Sequence, residues 1–142
     1  MEFLELSERY KLEKKEIFGN GANFHHLGII IKEKINTPYS NLNYIYDPIQ
    51  KVEVSFFNFN GLIIEVVTPR SEESPILKAL TNKIFYHHIC FSIPNIQEAL
   101  RISNIYGVRR ISKISPAAAF EGRNICWCIG KDFGLMELIE NL

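Results

Sequence analysis

Two histidine doublets and two isolated glutamates are the residues of this chain whose types and spacing could support chemistry. The segments "HHLGIII" and "YHHICFSI" each carry adjacent histidines at the head of an apolar run, and together they hold all four histidines of the chain. Glu65 in "LIIEVV" and Glu137 in "LMELIE" interrupt two further apolar runs. A carboxylate inside a buried strand needs a cation or strong hydrogen bonds, because burying it ionised and unpaired is costly.

Strand alternation separates the two histidines of each doublet, because successive side chains of a strand point to opposite faces of the sheet. In "YHHICFSI" His87 shares the more apolar face with Ile89, whereas His88 shares the smaller and more polar face with Cys90. By the same rule, His26 and His25 in "HHLGIII" point to opposite faces of the sheet. We therefore expect the second histidine of each doublet to line a cavity, and the first to pack or to support its neighbour.

Two imidazoles and two carboxylates, each on its own strand, form a suitable ligand set for one divalent ion with open positions, such as Co, Ni, Zn, Mn or Mg. A single strand histidine is more often a packing residue, and a single strand glutamate more often faces solvent. Four such residues in matching places of two half-chains favour a metal site at His26, Glu65, His88 and Glu137. Packing and solvent-facing roles remain the alternative at this point.

The elements that position these residues repeat along the chain. "FHHLGIII" corresponds to "YHHICFSI", and "GLIIEVV" corresponds to "GLMELIE", so a duplicated unit organises the sequence. Asn60-Gly61 between two apolar runs predicts a β-hairpin. Asn95, with Glu98 three residues later, predicts the start of a helix that Gly107 ends. "VRRISKI", which follows, reads as a further strand.

These patterns divide the chain into an extension and one domain. Residues 1–22 are polar and end in a Gly/Asn breaker, which predicts an N-terminal extension, and residues 23–142 form a single domain. Within the domain we expect a first module at about 23–70, a linker helix at about 74–82 and a second module at about 85–142.

Composition narrows the classes of partner. The 142 residues include 16 basic and 16 acidic ones, so the balanced charge favours neither nucleic acid nor an anionic membrane surface. No apolar run approaches the ~20 residues that span a bilayer, and the charged start lacks the pattern of a secretory signal. Three cysteines in apolar strands indicate reduced thiols. We expect a cytoplasmic protein whose partner is a small molecule.

The segments "HHLGIII", "YDPIQKVEVSFF", "LIIEVVTPRSEESPILKAL", "YHHICFSIPNIQEAL", "SPAAAFEGRNICW" and "GLMELIE" resemble the vicinal oxygen chelate (glyoxalase/bleomycin-resistance) superfamily, and within it the methylmalonyl-CoA epimerase-like proteins. The resemblance runs from about Phe24 to Leu142. It implies an α+β fold of two tandem βαβββ modules, whose eight strands form an open barrel around one divalent metal ion. The superfamily's four ligand positions fall on His26, Glu65, His88 and Glu137. A homodimer is also implied.

The implied activity is that of a metal-dependent isomerase, epimerase or lyase. Such an enzyme removes a proton next to a metal-chelated carbonyl, here of a small acyl-CoA-type thioester, and the resemblance makes Glu137 the base. Arg123 in the loop "AFEGR" is a candidate for substrate binding. The alternative is a non-catalytic member that sequesters a small molecule. A dioxygenase is a third reading, which the fourth ligand Glu65 disfavours.

Two departures from the superfamily pattern affect these expectations. The place of a second catalytic glutamate, within "DPIQKVEV", falls on Ile49, which cannot accept a proton. The stretch from Lys32 to Asn43, with Pro38 inside, is too short for the usual helix followed by a strand. We expect a truncated first module, or a missing layer supplied by the N-terminal extension or a partner chain.

Overall fold

A computed structural model describes residues 3–142, with side chains from residue 5 onward. Its helices are α1 (Phe3–Tyr10), α2 (Leu77–Thr81) and α3 (Ile96–Asn104), with a 3-10 turn at Ala118–Phe120. Its strands are β1 (Asn23–Ile30), β2 (Ile45–Asp47), β3 (Val52–Phe59), β4 (Leu62–Pro69), β5 (Tyr86–Ile93), β6 (Arg109–Arg110), β7 (Ser115–Pro116), β8 (Asn124–Gly130) and β9 (Gly134–Glu140). No helix in this part of the chain is long and apolar enough to cross a membrane.

The described strands form one open, mixed sheet in the order β2-β3-β4-β1-β5-β9-β8-β6, with β7 also paired to β8. β1 runs parallel to β4, β5 runs parallel to β9, and the two pairs join through an antiparallel β1–β5 contact. Module one (β1–β4) and module two (β5–β9 with α3) therefore meet at the centre of the sheet. The predicted α+β fold of two tandem modules is confirmed.

The β3–β4 hairpin turns at the predicted Asn60-Gly61. Both residues have positive φ angles, 51° and 94°, and Phe59 pairs with Leu62 directly outside them. This is the backbone of a type I′ turn, which Asn-Gly adopts readily and whose twist matches that of the strands. The turn sets the β3–β4 register, which pairs Glu65 with Phe56.

The inner face of the sheet is defined here as the side that carries His26, Glu65, His88 and Glu137, and the outer face as the opposite side. On the outer face of module two, Ile96 and Ala99 of α3 pack into one buried cluster with Phe18 of the N-terminal extension. The ring of Phe18 lies 5.3 Å from that of Phe91 on β5. The part of the extension around Phe18 therefore packs on module two.

Module one has no helix between β1 and β2 in the described structure, so the predicted truncation is confirmed. Residues 31–44 instead follow an irregular path over the outer face of β3. Lys34 Nζ donates to Glu53 at 2.7 Å, the hydroxyl of Ser55 donates to the carbonyl of Asn43, and the ring of Tyr39 lies 5.7 Å from that of Phe57. An irregular segment thus covers the face that α3 covers in module two.

The linker helix is shorter than the predicted 74–82. It begins at Leu77, because the preceding residues form turns in which the Ser74 N–H bonds to Ser71 and the Leu77 N–H to Ser74. Ile76 is buried and packs with Val52 and their neighbours in the hydrophobic cluster on the inner face of module one. The linker therefore closes one end of the inner face.

The strand predicted over "VRRISKI" is wrong for most of its length. Only Arg109–Arg110 pairs with β8, and pairing resumes at Ser115–Pro116. Between them the N–H groups of Ile111 and Ser112 both bond to the single carbonyl of Trp127. Two residues on one strand facing one on the other interrupt the ladder, as in a β-bulge.

Asn95→Ala is expected to destabilise the fold by about 1 kcal/mol, because it removes a helix N-cap. Asn95 Oδ1 accepts from the Glu98 N–H at 2.9 Å. Urea unfolding followed by circular dichroism measures the change, with Asn104→Ala at the other end of α3 as the matched control. Equal stability of the two variants would contradict the capping role.

Candidate metal centre

The four residues predicted as ligands come together on the inner face. His26 Nε2 lies 3.1 Å from His88 Nε2, 3.5 Å from Glu65 Oε2 and 3.6 Å from Glu137 Oε1. His88 Nε2 lies 3.7 Å from Glu65 Oε1. All four side chains are buried, the histidines completely. Two nitrogens and two carboxylate oxygens thus converge on one point.

The donor set fits a divalent cation. Ligands about 2.0–2.2 Å from one ion stand roughly 3.0–3.6 Å from their neighbours, which is close to the separations between these atoms. Glu137 Oε1 is buried and finds no hydrogen-bond partner among the described residues. A buried carboxylate oxygen without a partner is costly unless a cation meets it. His26, Glu65, His88 and Glu137 are therefore the residues that could hold such an ion.

Strand register explains why residues distant in sequence converge. The central strands β4, β1, β5 and β9 each contribute one of the four residues. Gly28 on β1 pairs with Glu65 on β4 and with His88 on β5, while Cys90 pairs with His26 on one side and Glu137 on the other. Partners across a ladder point to the same face, so pairing alone aims the four side chains inward.

Gly28 provides the space that the His88 ring occupies. A Cβ atom built on Gly28 would lie 2.2 Å from His88 Cε1 and 2.3 Å from His88 Nδ1. No side chain at this position fits without displacing the imidazole. A glycine inside a strand often marks such a close approach.

Burial shifts the proton affinities of all four groups. Burial and neighbouring imidazoles lower the pKa of His26 to about 3 and lower that of His88 as well. Burial and the charge of Glu137 raise the pKa of Glu65, and burial, with a contribution from Asp47, raises the pKa of Glu137 to about 7. The histidines are therefore neutral, and each has a lone pair that can bind a cation. The raised pKa values favour the protonated form of the two carboxyl groups until a cation displaces the protons.

Aromatic side chains enclose the cluster. Phe56 and Phe120 lie 5.4 Å and 5.8 Å from the His26 ring, and Trp127 lies 4.8 Å from the His88 ring. These rings restrict water around the polar groups. Electrostatic interactions inside the cluster are stronger for that reason.

Two adjoining cavities, of about 390 Å³ and 530 Å³, lie on the far side of Trp127 from His88 and are together called the Trp127 crevice; none of the four candidate ligands lines them. His87 lines the first cavity, and Asp47 and Ile49 line the second. The residues common to the two cavities are Gln50, Pro75, Ser112 and Trp127. Trp127 thus lines both cavities, and its ring also packs against that of His88.

The remaining predicted positions lie at the edges of this arrangement. Ile49, which replaces the expected second glutamate, is 68% exposed. Arg123 is half-buried, and its Nε donates to the carbonyl of Glu140 at 2.8 Å. Substrate binding by Arg123 stays a prediction, since that hydrogen bond serves the fold.

Sequence reasoning missed two residues that shape the centre. Gly28 gave a usable signal, because it is a lone glycine in an apolar strand two positions after a candidate ligand. Phe120 gave none, because it lies in the irregular loop "SPAAAFEGR". Only the folded chain brings that loop against His26.

Gly28→Ala is expected to abolish metal binding, because its methyl group would displace the His88 ring. Calorimetric titration with Co²⁺ or Zn²⁺ measures the loss. The double variant Gly28→Ala/His88→Ala is the control: with the ring removed, the alanine should fit and the thermal stability lost in Gly28→Ala should return. A single variant that binds metal like the parent protein would show that the clash does not matter.

Metal affinity is expected to fall as pH decreases below 7. The raised pKa of Glu137, about 7, means that this group binds a proton in the metal-free protein that the ion must displace. The loss should be about tenfold per pH unit for each displaced proton, while His26, with its pKa lowered to about 3, does not compete. Chelator competition between pH 5.5 and 8 measures the slope. Constant affinity would refute the raised carboxyl pKa.

Comparisons with known proteins give the fold a context. No family model and no curated protein sequence matches the chain. A hypothetical protein from Bacillus halodurans is similar in structure, with a TM-score of 0.67 and 25% identity over 87% of this chain and 96% of that one.

Methylmalonyl-CoA epimerases are also among the similar structures. The Mycobacterium tuberculosis enzyme has a TM-score of 0.66 and 19% identity, over 84% of this chain and 87% of that one. A variant of the Streptomyces coelicolor enzyme in complex with 2-nitronate-propionyl-CoA has a TM-score of 0.66 and 21% identity, over 84% and 94%. The chain therefore has the fold of methylmalonyl-CoA epimerases, and the resemblance inferred from its sequence is confirmed at the level of the fold.

Proposed function

We propose that this protein is a metal-dependent epimerase, isomerase or lyase that removes a proton next to the carbonyl of a small acyl-CoA-type thioester. The observation that carries the proposal is the convergence of four buried donors on one point, with Glu137 Oε1 left without a partner. The shared fold with enzymes that act on methylmalonyl-CoA supports the substrate class. The identity of the metal stays open among Co, Ni, Zn, Mn and Mg.

The residues divide the work according to their protonation. His26 and His88 are neutral, and each presents Nε2 to the shared point, so they would hold the ion together with Glu65 and Glu137. A divalent ion supplies a Lewis acid that polarises a carbonyl and makes the neighbouring C–H bond more acidic. Glu137 is the candidate base, because it is buried at the shared point and an ion bound there would displace its proton and leave a carboxylate.

The isoleucine at position 49 restricts the type of reaction. It lines the Trp127 crevice where the superfamily pattern places a second base. One carboxylate that takes and returns a proton on the same face exchanges hydrogen without inverting the carbon. Ile49 therefore favours isomerisation or elimination over two-base epimerisation. It also supports the alternative, a non-catalytic protein that sequesters a small molecule.

Assembly and location belong to the same proposal. We propose a cytoplasmic homodimer that binds no nucleic acid. The free thiols of Cys90, Cys126 and Cys128 are buried and unpaired, which suits a reducing compartment. The homodimer follows from the superfamily resemblance, and sedimentation of the purified chain tests it.

Glu137→Gln is expected to abolish proton exchange at the substrate carbon, by at least about 100-fold, because the amide cannot act as a base. Proton NMR of methylmalonyl-CoA in D₂O, with the protein loaded by Co²⁺, measures the exchange. The exposed Glu121→Gln is the matched control and should retain the parent rate. Chiral analysis of the deuterated product then separates retention from inversion.

Three outcomes distinguish the readings. Exchange with retention supports the one-base mechanism, and exchange with inversion requires a second proton carrier. Binding of the thioester without exchange supports the sequestering alternative. If elemental analysis of the Co²⁺-treated protein finds no bound metal, and His88→Ala changes nothing, the catalytic proposal is wrong.

A further inference from the structure

Each candidate ligand histidine contacts a second imidazole through the nitrogen that points away from the metal site. His26 Nδ1 lies 2.8 Å from His25 Nδ1, and His88 Nδ1 lies 2.7 Å from His87 Nδ1. Both separations are those of a hydrogen bond between ring nitrogens. The same pair of atoms meets in both modules, so the arrangement occurs twice in the fold.

Such a contact requires one protonated nitrogen and one lone pair. His26 and His88 are fully buried, and an ion at the point where their Nε2 atoms converge requires a lone pair on each Nε2. Their Nε2 atoms converge at 3.1 Å on the point shared with the two carboxylates. A lone pair on Nε2 leaves the hydrogen on Nδ1, and the preceding histidine must then accept it.

We propose that His25 and His87 are positioning residues that hold His26 and His88 as Nδ1–H tautomers, with Nε2 free to bind a metal ion. This inference rests on the proposed metal centre. In the opposite tautomer Nε2 would carry the hydrogen and could donate it to Glu65 or Glu137. The acceptor at Nδ1 thus decides which nitrogen is available to the ion.

As the acceptor for the Nδ1–H of a ligand histidine, an imidazole suits this centre better than the usual carboxylate. Metal-bound histidines commonly donate their other N–H to a carboxylate or a backbone carbonyl. This centre already buries Glu65 and Glu137, and the charge of Glu137 raises the cost of ionising Glu65. A third carboxylate would add to that repulsion, whereas a neutral imidazole accepts the hydrogen bond without adding charge.

Neighbouring side chains fix the orientation of the two supporting rings. The ring of Phe120 meets that of His25 edge-on at 5.7 Å and an interplanar angle of 90°. Trp127 meets His87 at 5.9 Å and also contacts His88. Rings held in this way lose little entropy when they accept a hydrogen bond, which makes them effective positioning groups.

The experiment begins with the metal-free protein and reads tautomers directly. Two-bond ¹H–¹⁵N correlation spectra of the imidazoles should show a protonated Nδ1 on at least one of His26 and His88, because the 3.1 Å Nε2–Nε2 contact can hold one hydrogen, and on both once Zn²⁺ is added. His87→Phe keeps a ring but removes the acceptor, and it should move His88 towards the Nε2–H form. His87→Asn places an oxygen near the former Nδ1 and should retain the parent tautomer.

Metal affinity provides the second readout. His25→Phe and His87→Phe are each expected to weaken Co²⁺ binding by about 10- to 100-fold, the cost of losing an outer-shell partner. His87→Asn should recover most of that affinity. Tyr86→Phe, next to the doublet and largely exposed, is the control and should bind Co²⁺ like the parent protein.

The outcomes separate this inference from the proposed function. Nε2–H tautomers of His26 and His88 in the metal-free parent protein would overturn it, as would unchanged Co²⁺ affinity in both phenylalanine variants. Equal losses in His87→Phe and His87→Asn would also overturn it, because they would indicate packing alone. Nδ1–H tautomers in a parent protein that binds no divalent ion would support the positioning role and refute the metal-dependent function.

Discussion

The burial of two carboxylates between two neutral imidazoles is the constraint on which the rest of the structure depends. Four donors within 3.7 Å of their neighbours are costly inside a protein unless their positions are tightly controlled. The ladder β4-β1-β5-β9 controls them, because each strand carries one donor in register. Gly28 opens the space for one ring, and Phe56 and Phe120 restrict water around the other.

The two modules differ in the layer that does not touch this centre. Module two covers its outer face with α3 and the N-terminal extension, whereas module one uses the irregular residues 31–44. All four donors project from the inner face, so loss of a helix from the outer face leaves them in place. The departure that bears on the proposed reaction lies elsewhere, on the short loop after β2 where the exposed Ile49 lines the Trp127 crevice.

The sequence predicted the features that depend on local pattern. Asn60-Gly61 identified the hairpin, the Asn95 cap identified α3, and alternation placed His26 and His88 on the inner face. Alternation was wrong for His87, which lines the inner-face crevice beside Trp127, because the β1–β5 ladder is bulged at both doublets. The sequence could not predict features that depend on long-range contacts. Phe120 reaches His26 from an irregular loop, and the strand expected after α3 ends where two N–H groups share the Trp127 carbonyl. Neither the approach of a loop nor the sharing of a carbonyl leaves a periodic trace in the sequence.

The raised carboxyl pKa values have a consequence for how the protein matures. The raised pKa values of Glu65 and Glu137, with both histidines neutral, reduce the net charge of the metal-free centre as the pH falls below 7. The protein core can therefore form around this centre without the repulsion that two buried anions would bring. A scaffold of this kind can fold without an ion, and an ion that binds afterwards would replace the carboxyl protons in a centre that already has its shape.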